Sequence, residues 1–371
     1  MGKHSIKLFV GMDVHKDSID LSVAEERGEV RHYGRIGGDS AALSKAVRKL
    51  ESLGKSLVFV YEAGPCGFVI YRTLMARGHQ CWVVAPSETP RRGSDRIKTD
   101  RRDSLKLAGL ARAGELSPIY VPDSADEAMR DLVRAREDAV CVQRQVRHRL
   151  SALLLRNDIR YAGKTPWTEA HRRWIARLIL PNPAQRIAFE EYVSAVHEST
   201  ERVARLTTAI EQELRQWRWQ PVVAALQAFR GIQRLHAVRI IAELGDLSRF
   251  AHPRQLMAYL GMIPCEDSTG ARRRQGAITK AGNSSARRAL VEAAWAYQHR
   301  AAVTPIIARR QDGLPKVAID IAWKAQMRLC ARYRQLNARG LNKNKAIVAI
   351  ARELSGFVWS VGQQVKPNAS R

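Results

Sequence analysis

The chain has 371 residues, of which 45% are hydrophobic and 26% charged, so it can build packed cores and is not a disordered tail. Its 62 Lys and Arg residues outnumber its 36 Asp and Glu residues, for a formal net charge of +26 at pH 7. This much positive charge repels itself in a compact chain and indicates a polyanionic partner, nucleic acid before a membrane surface. No apolar run approaches the ~18 residues of a membrane span, and Asp13 comes too early for a signal-peptide core, so we expect no membrane partner.

The excess of positive charge is unevenly distributed along the chain. Residues 1–90 carry 12 basic and 10 acidic residues, whereas residues 268–371 carry 20 basic and 4 acidic residues. We therefore expect the surface that meets a polyanion to lie mostly outside the N-terminal segment. The five cysteines are scattered and form no C-x-x-C pair, which predicts free thiols in a reducing cytoplasm rather than disulfides or a zinc site.

The N-terminal segment alternates between strand and helix patterns. Apolar or alternating runs predict a three-strand meander over 6–13, 19–24 and 30–36. Helical spacing follows over 40–53, with Ser40 as the predicted N-cap. The remaining predicted elements are a strand at 56–61, a helix at 68–76, a strand at 80–85 and a further helix. This order is that of an α/β ribonuclease-H-like fold.

The spacing of apolar residues in the rest of the chain predicts helices. Two long, charge-rich stretches with helical spacing, 125–155 and 184–217, flank a break at 165–183 and predict an antiparallel hairpin. The hairpin is either a projecting coiled-coil arm or part of a packed bundle.

Helical stretches punctuated by glycine follow from residue 221, interrupted by a predicted polar loop at 264–282. Residues 226–250 resemble a helix-hairpin-helix, with Gln233 in place of its usual second glycine. We therefore predict an all-α C-terminal domain, and three domains in total, at 1–120, 121–220 and 221–371.

Four acidic residues stand where such a sheet would bring them together. Asp13 ends the first predicted strand and Glu62 ends the fourth, and these strands are neighbours in a ribonuclease-H-like sheet. Asp100 and Asp103 are three residues apart at a predicted helix start, so they share one side of that helix. Converging carboxylates repel one another unless they are protonated or share cations, and Mg²⁺ prefers carboxylate oxygens. The four acids therefore predict a site for Mg²⁺ or Mn²⁺.

Asp100 and Asp103 also allow a purely structural interpretation. Acidic residues at the N-cap and in the first turn complement a helix dipole, and Arg101 and Arg102 could pair with them. Glu62, which follows a strand and precedes a Gly-Pro turn, is harder to explain in this way. The element order and the four acids together favour the metal site.

The segment 261–288 combines glycines, hydroxyl side chains and clustered arginines, a composition that suits contact with a phosphate backbone. A helix that opens after Gly282 and Asn283 would add an anion-binding N-terminus. The basic residues predicted to contact nucleic acid, here and beside Asp100, are Arg101, Arg102, Arg272, Arg273, Arg274, Lys280, Arg287 and Arg288.

The hydroxyl residues of this segment have different predicted roles. Ser284 and Ser285 are predicted to cap the helix that follows them. Ser268 stands before Gly270 and an arginine run, where no cap is expected. A serine hydroxyl needs a base, a metal or neighbouring cations to become a nucleophile. Ser268 is therefore either a nucleophile or an ordinary turn or phosphate-contact residue.

Four motifs in order resemble a known family, and the resemblance covers nearly the whole chain. The chain is similar to the transposases of the insertion-sequence one-ten family, including its eleven-eleven branch, and to the related Piv-type DNA invertases. The motifs are MDVHK at 12–16, YEAGP at 61–65, KTDRRD at 98–103 and the block at 261–288.

The resemblance implies a RuvC-like N-terminal domain whose metal-binding and catalytic acids are Asp13, Glu62, Asp100 and Asp103. It implies a C-terminal transposase domain with a catalytic serine, matched here by Ser268, with Thr269 as the nearest rival. It further implies donor and target DNA as substrates, a structured guide RNA from the element itself, and dimers that associate into larger complexes. A bacterial cytoplasmic protein, on the nucleoid when bound to DNA, is expected.

Three other functions compete with this interpretation. A hydrolytic RuvC-like endonuclease would need the four acids but not Ser268. A ribonuclease-H-like ATPase would use Gly11 in a phosphate loop, but no second such loop is found and the net charge would have no purpose. A non-enzymatic nucleic-acid scaffold would leave Asp13 and Glu62 without a role.

Overall fold

A computed structural model describes residues 7–90, 99–269 and 272–369; for Asp267, Ser268, Arg272 and Arg273 it describes the backbone only. The chain forms two compact units, Met1–Val121 and Pro122–Arg371. Among the described helices, none is long and apolar enough to cross a membrane. All five cysteines are free thiols, as expected from their spacing.

The first unit is a five-stranded mixed sheet with three helices. Its strands are Lys7–Val14 (β1), Ser18–Glu25 (β2), Arg31–Gly37 (β3), Ser56–Glu62 (β4) and Gln80–Val84 (β5), and its helices are Ser40–Glu51 (α1), Val69–Ala76 (α2) and Asp100–Ala113 (α3). The strand order is β3-β2-β1-β4-β5, with β1 antiparallel to β2 and parallel to β4. The predicted element order and the meander are confirmed, as is the neighbourhood of the first and fourth strands.

The period-two alternation of the strands sorts their residues onto two faces. One face carries Leu8, Val10 and Met12 of β1 and packs on buried residues of α1 and α2. The other carries Phe9 of β1 and Val58 of β4 and packs on α3. Both faces are buried, which explains the almost continuous apolar runs in β1 and β4.

The prediction of Ser40 as the first N-cap is wrong, because Asp39 caps α1. The Asp39 Oδ1 atom accepts hydrogen bonds from the backbone N–H groups of Ala41 and Ala42, both at 2.9 Å. Ser40 is the first residue of the helix. A carboxylate is the stronger acceptor for these N–H groups, and its charge complements the helix dipole.

The second unit begins with two long helices, Ser124–Arg156 (α4) and Pro183–Leu214 (α6), which enclose a short helix, Glu169–Ile175 (α5). Hydrogen bonds between side chains show that α4 and α6 run antiparallel. Arg136 bonds to Thr207 at 2.7 Å, and seven residues further along α4 Gln143 bonds to Thr200 at 3.0 Å. The buried residues of α4 toward its start, such as Val133, belong to the large core of this unit, whereas those toward its end, such as Leu150, form a separate small core.

The remainder of the second unit is a helical core with one hairpin of strands. Its helices are Gln220–Leu226 (α7), Arg234–Leu244 (α8), Pro253–Tyr259 (α9), Ser284–Ala294 (α10), Pro305–Gln311 (α11), Lys316–Ala338 (α12) and Lys343–Gln364 (α13), with 3₁₀ turns at Leu247–Arg249 and Trp295–Gln298. The helix-hairpin-helix-like interpretation of α7 and α8, like the division at residue 220, stays a prediction.

The prediction of an all-α C-terminal region with a polar loop at 264–282 is wrong. Pro264–Thr269 (β6) and Arg272–Ile278 (β7) pair as an antiparallel hairpin. The described residues of this hairpin are largely exposed, so its strands need no apolar face. Hydrophobic alternation, the usual sequence signal of a strand, is therefore absent from β7, which begins with three arginines.

Candidate metal centre and nucleic-acid interface

The sheet places Asp13 and Glu62 side by side. Both residues stand at the C-terminal ends of parallel neighbours, and the last paired residues before them are Met12 and Tyr61. Asp13 lies an even number of residues from Phe9, as Glu62 does from Val58, so both acids belong to the sheet face that packs on α3. This placement agrees with the prediction made from the ends of the two strands.

The helix α3 begins over the same end of the sheet. Thr99 is its N-cap and accepts a hydrogen bond from the backbone N–H of Arg102, so the alternative role of Asp100 as the cap is wrong. Asp100 and Asp103 both lie in the first turn. Each precedes by four residues a buried residue of the face that packs on the sheet, Ser104 and Leu107 respectively, so both acids lie on the sheet side of the helix.

A glycine makes this close approach of α3 possible. A Cβ atom added at Gly11 in β1 would lie 2.3 Å from the backbone oxygen of Ser104 and 2.4 Å from the backbone nitrogen of Ala108. Gly11 is thus required for helix-to-sheet packing within a regular strand. This role accounts for the glycine without the phosphate loop of an ATPase.

His15 joins the acids of the strand and the helix. Its Nε2 atom is 3.1 Å from the Asp13 Oδ2 atom and 3.5 Å from the Asp100 Oδ1 atom. One ligand atom from each of these three residues lies within 4.8 Å of the others, a spacing that suits a metal ion. Glu62 and Asp103 are outside this close group. His15 is part of the motif around Asp13, but no pattern in the sequence assigned it to the site.

The electrostatics at Asp13 are those of crowded acids. Partial burial raises the pKa of the Asp13 carboxyl, and the charges of Asp103 and Asp100 raise it further, while the hydrogen bond and charge of His15 oppose the rise. A cation among these acids would relieve both the desolvation and the repulsion. The donor set, mainly carboxylate oxygens with one imidazole, fits Mg²⁺ or Mn²⁺.

A second set of polar residues lies next to the acids and contacts Asp100. Asp20 in β2 is only 5% exposed. Its Oδ1 atom is 3.0 Å from the His32 Nε2 atom, and its Oδ2 atom is 3.7 Å from the Arg35 Nε atom. Arg35 also reaches Asp100 at 3.9 Å, so it spans the buried acid and the acid of α3. None of these three residues was predicted, although Ser18, Asp20 and Ser22 form a polar alternation within β2 that could have signalled a special face.

The residues predicted to contact nucleic acid fall into three groups. Arg101, Arg102, Arg274 and Lys280 are exposed. Arg287 instead donates to the backbone oxygens of Leu260 and Ala281, at 2.8 and 3.1 Å, and Arg288 pairs with Glu137 at 3.4 Å. The side chains of Arg272 and Arg273 lie outside what the structure describes, as does Lys98 of the KTDRRD motif.

The hydroxyl residues of the C-terminal block are also placed. Ser268 lies in β6, opposite Arg273 of β7, and its side chain is outside the described part. The prediction that Ser284 and Ser285 cap α10 is wrong. The cap is Asn283, whose Oδ1 atom accepts from the Ala286 N–H at 2.9 Å. An amide side chain one residue earlier therefore takes the capping position, and the Ser285 hydroxyl is 3.0 Å from the Glu137 carboxylate.

Comparisons with known proteins agree with this arrangement. Residues 10–157 match the family model of the DEDD-type IS110 transposases, and residues 223–308 match the model described as "Transposase IS116/IS110/IS902 family". A Sinorhizobium fredii protein named as a transposase, y4qE, is 42% identical over 364 residues, covering 98% of this chain and 90% of the relative. The transposase for insertion sequence element IS1533 of Leptospira borgpetersenii is 29% identical over 337 residues, covering 90% of this chain and 97% of the relative.

The mixed sheet with its acid cluster and these relatives define the class of protein: a transposase, an enzyme of DNA strand transfer, whose first unit has a RuvC-like fold. More narrowly, the chain belongs to the IS110 family of transposases, as the sequence motifs indicated.

Proposed function

We propose that this transposase cuts and rejoins the DNA strands of an insertion sequence at a centre that binds Mg²⁺ or Mn²⁺ through Asp13, Glu62, Asp100 and Asp103. The observation that carries the proposal is the close group of Asp13, His15 and Asp100, made by two elements far apart in sequence. Glu62 ends the strand beside that of Asp13, and Asp103 shares the first helix turn with Asp100, which supports including both in the ligand set.

Each protein group at this centre has a distinct task. The four carboxylates would hold divalent ions, and such ions would supply positive charge that stabilises the attacking and leaving oxygens of a phosphodiester. Arg35 helps to orient Asp100, since it lies 3.9 Å from the Oδ2 atom while His15 lies 3.5 Å from the Oδ1 atom. His15, which is half exposed, contacts Asp13 at 3.1 Å and Asp100 at 3.5 Å through its Nε2 atom, so it would hold the two carboxylates together and could add one imidazole ligand. Arg101 and Arg102, exposed beside Asp100, suit contact with the flanking phosphates.

We propose that Ser268 is the nucleophile of the strand-exchange step. Its hydroxyl loses a proton and forms an O–P bond, while one P–O bond to the DNA sugar breaks and the released sugar oxygen takes up a proton. Reversal of this step with a different strand end rejoins the DNA without a high-energy cofactor. Support comes from the family resemblance and from the position of Ser268 opposite Arg273, within a hairpin rich in arginine.

Two further parts of the proposal concern partners. A structured guide RNA from the element would choose the donor and target sites by base pairing, which leaves the protein to hold backbones through its large positive charge. Assembly as dimers and pairs of dimers would bring two DNA sites together. Both parts rest on the family resemblance and on the net charge of +26.

Strand exchange assayed on DNA carrying the element ends tests the proposal. Ser268→Ala should abolish exchange and the covalent protein–DNA adduct while leaving nucleic-acid binding intact, because the cations are unchanged. Thr269→Ala and Ser284→Ala are the matched controls and should retain both. If Ser268→Ala still exchanges strands whereas Asp13→Ala does not, the serine step is wrong and direct attack or hydrolysis at the acid centre takes its place. A structured RNA encoded beside the gene should co-purify with the protein.

A further inference from the structure

A cavity in the second unit has features of a ligand site and contains none of the residues assigned above to catalysis. It lies between α4, α6, α8 and α10 and has a volume of about 570 Å³. This volume falls within the roughly 300–1,000 Å³ typical of small-molecule sites. Its floor is apolar, formed by five side chains of three helices (α4, α6 and α8): Val133, Val140, Ile210, Leu235 and Val238.

The cavity wall carries more positive than negative charge. Five arginines and three glutamates line it. Arg234 and Glu211 form a pair of their own at 3.9 Å. The other two acids are each shared, since Glu137 and Glu292 both pair with Arg239 and with Arg288. Two carboxylates therefore face the remaining four guanidinium groups.

Two of the arginines at this wall are partly or largely buried, and their guanidinium groups do not have a full set of partners. Arg136 is half-buried; its Nε atom donates to the Thr207 hydroxyl at 2.7 Å, and among the described residues no carboxylate lies within 4.0 Å of its guanidinium. Arg239 is only 8% exposed, and within the described part of the chain one of its terminal nitrogens has no acceptor. Burial lowers the pKa of both arginines, although nearby Glu137 opposes the change.

A partly buried guanidinium that has no carboxylate within 4.0 Å among the described residues, as at Arg136, is costly, and one terminal nitrogen of Arg239 has no acceptor despite the pairs with Glu137 and Glu292. This part of the wall therefore favours an anionic ligand. Arginine presents two parallel N–H groups that match the oxygens of a phosphate. A phosphate alone would fill little of the cavity, whereas the apolar floor suits the face of a nucleobase.

We propose that the cavity binds one unpaired nucleotide of a nucleic-acid strand, with its phosphate on Arg136 and Arg239 and its base on the apolar floor. The occupant is part of a strand, because Arg144 at the rim is exposed and its charge is open to the next phosphate. This site is separate from the acids of the first unit and does not depend on the serine step.

A cysteine of the cavity wall provides a direct probe. Cys141 lines the cavity and is exposed, so N-ethylmaleimide should modify it readily in the full-length protein. Mixed-sequence single-stranded RNA or DNA, each at saturating concentration, should slow the modification of Cys141 severalfold when peptides are quantified by mass spectrometry. Protection by RNA alone, DNA alone or both supports the proposal and identifies the strand. Protection by uridine monophosphate but by neither strand would overturn it in favour of a free nucleotide.

Two arginine variants connect the protection to the wall. Arg144→Gln should remove the protection and lower the log–log salt slope of single-strand binding by ~0.7, the value for one phosphate. Arg149→Gln makes the same charge change at an exposed position of α4 that does not line the cavity, and should change neither result. Thermal unfolding of both variants checks that α4 is intact. Equal slopes in the two variants, or unchanged Cys141 modification in the wild type with bound strand, would refute the site.

Discussion

Asp20 lies directly opposite Asp13 in the antiparallel pairing of β1 with β2. Like charges in this position destabilise a sheet, because directly opposed side chains share one face. Each of the two acids has its own histidine, His15 for Asp13 at 3.1 Å and His32 for Asp20 at 3.0 Å. Arg35 lies opposite Asp20 in the next strand pair. The result is a row of charged residues across three strands at the edge of the acid centre.

This row of charged residues predicts how the loss of Arg35 should change the stability of the protein and its response to Mn²⁺. Arg35→Gln removes a cation that lies 3.7 Å from Asp20 and 3.9 Å from Asp100, so the metal-free protein should lose about 1 kcal/mol of stability. Added Mn²⁺ should raise the midpoint of thermal unfolding more in Arg35→Gln than in the wild type, since the ion then supplies the missing positive charge. Calorimetry with and without Mn²⁺ measures both effects.

Arg31→Gln is the matched control for Arg35, because Arg31 is in the same strand but pairs with Glu25, which is outside the acid group. It should leave the response to Mn²⁺ unchanged. An equal response in the two variants would show that Arg35 has no connection with the acid centre.

The four acids should be essential for cleavage and dispensable for folding. Asp13→Asn and Asp100→Asn should each lower the rate of DNA cleavage by ~100-fold or more, because charge stabilisation at the phosphate is lost. The metal-free midpoint of unfolding should stay constant or rise, because Asp13 is desolvated and close to two other acids. Asp320→Asn, an exposed aspartate of α12, should affect neither measurement. Cleavage that persists in EDTA would exclude the metal centre.

Alanine substitutions at two glycines should change the stability of the first unit in opposite directions. Gly11→Ala would force a Cβ atom against the backbone of α3, so it should destabilise the first unit by ~1–3 kcal/mol and displace Asp100 and Asp103. Gly109→Ala, within α3 itself, meets only the Val30 Cγ2 atom at 3.6 Å, an ordinary contact. It should stabilise the helix by ~0.5–1 kcal/mol and keep cleavage intact. Thermal unfolding and a cleavage assay on both variants decide whether α3 sits as described.

The positions of the four acids in the fold could be predicted from sequence better than the residues that surround them. Strand ends and helix starts are local features, so the placement of Asp13 and Glu62 followed from hydrophobic runs alone. The position of Asp20 opposite Asp13 depends on the register of β1 and β2, which is set by the connection between the strands and leaves no composition signal. In the pairing of β2 with β3, a register shift between Leu21 and Ser22 is likewise invisible in the composition.

The hairpin of β6 and β7 was not predicted from the sequence, for a different reason. Strand prediction from sequence relies on an apolar face, and β6 and β7 pair through their backbones without one. The cavity arginines were equally hidden, because Arg136, Arg239 and Arg288 belong to three helices that meet only in the folded unit. From the sequence alone, each of these arginines would be predicted to be a solvent-exposed residue of a basic helix.

An ion pair between the buried Glu243 and the exposed Arg134 in the second unit predicts a pH-dependent stability. Glu243 is 4% exposed, and both of its oxygens accept bonds from Arg134, at 2.8 and 2.9 Å; Asn283 donates to the Oε2 atom at 2.6 Å. Burial acts to raise the pKa of Glu243, but the bonds from Arg134 and Asn283 outweigh it and hold the pKa below its ordinary value of 4.5. The pair links α4 and α8 to the cap of α10.

Glu243→Gln should therefore lower the unfolding midpoint of the second unit at pH 7, with a cost of ~1–3 kcal/mol for the lost charged hydrogen bonds. A carboxyl whose pKa is lower in the folded state stabilises the fold above its unfolded pKa and loses this effect as the pH falls through the folded value. The difference between wild type and Glu243→Gln should thus be constant at neutral pH and shrink below pH 4.5. Asp138→Asn, an exposed acid of α4, corrects for the general effect of acid. A difference that persists undiminished in acid would mean that Glu243 acts through its shape and not through its charge.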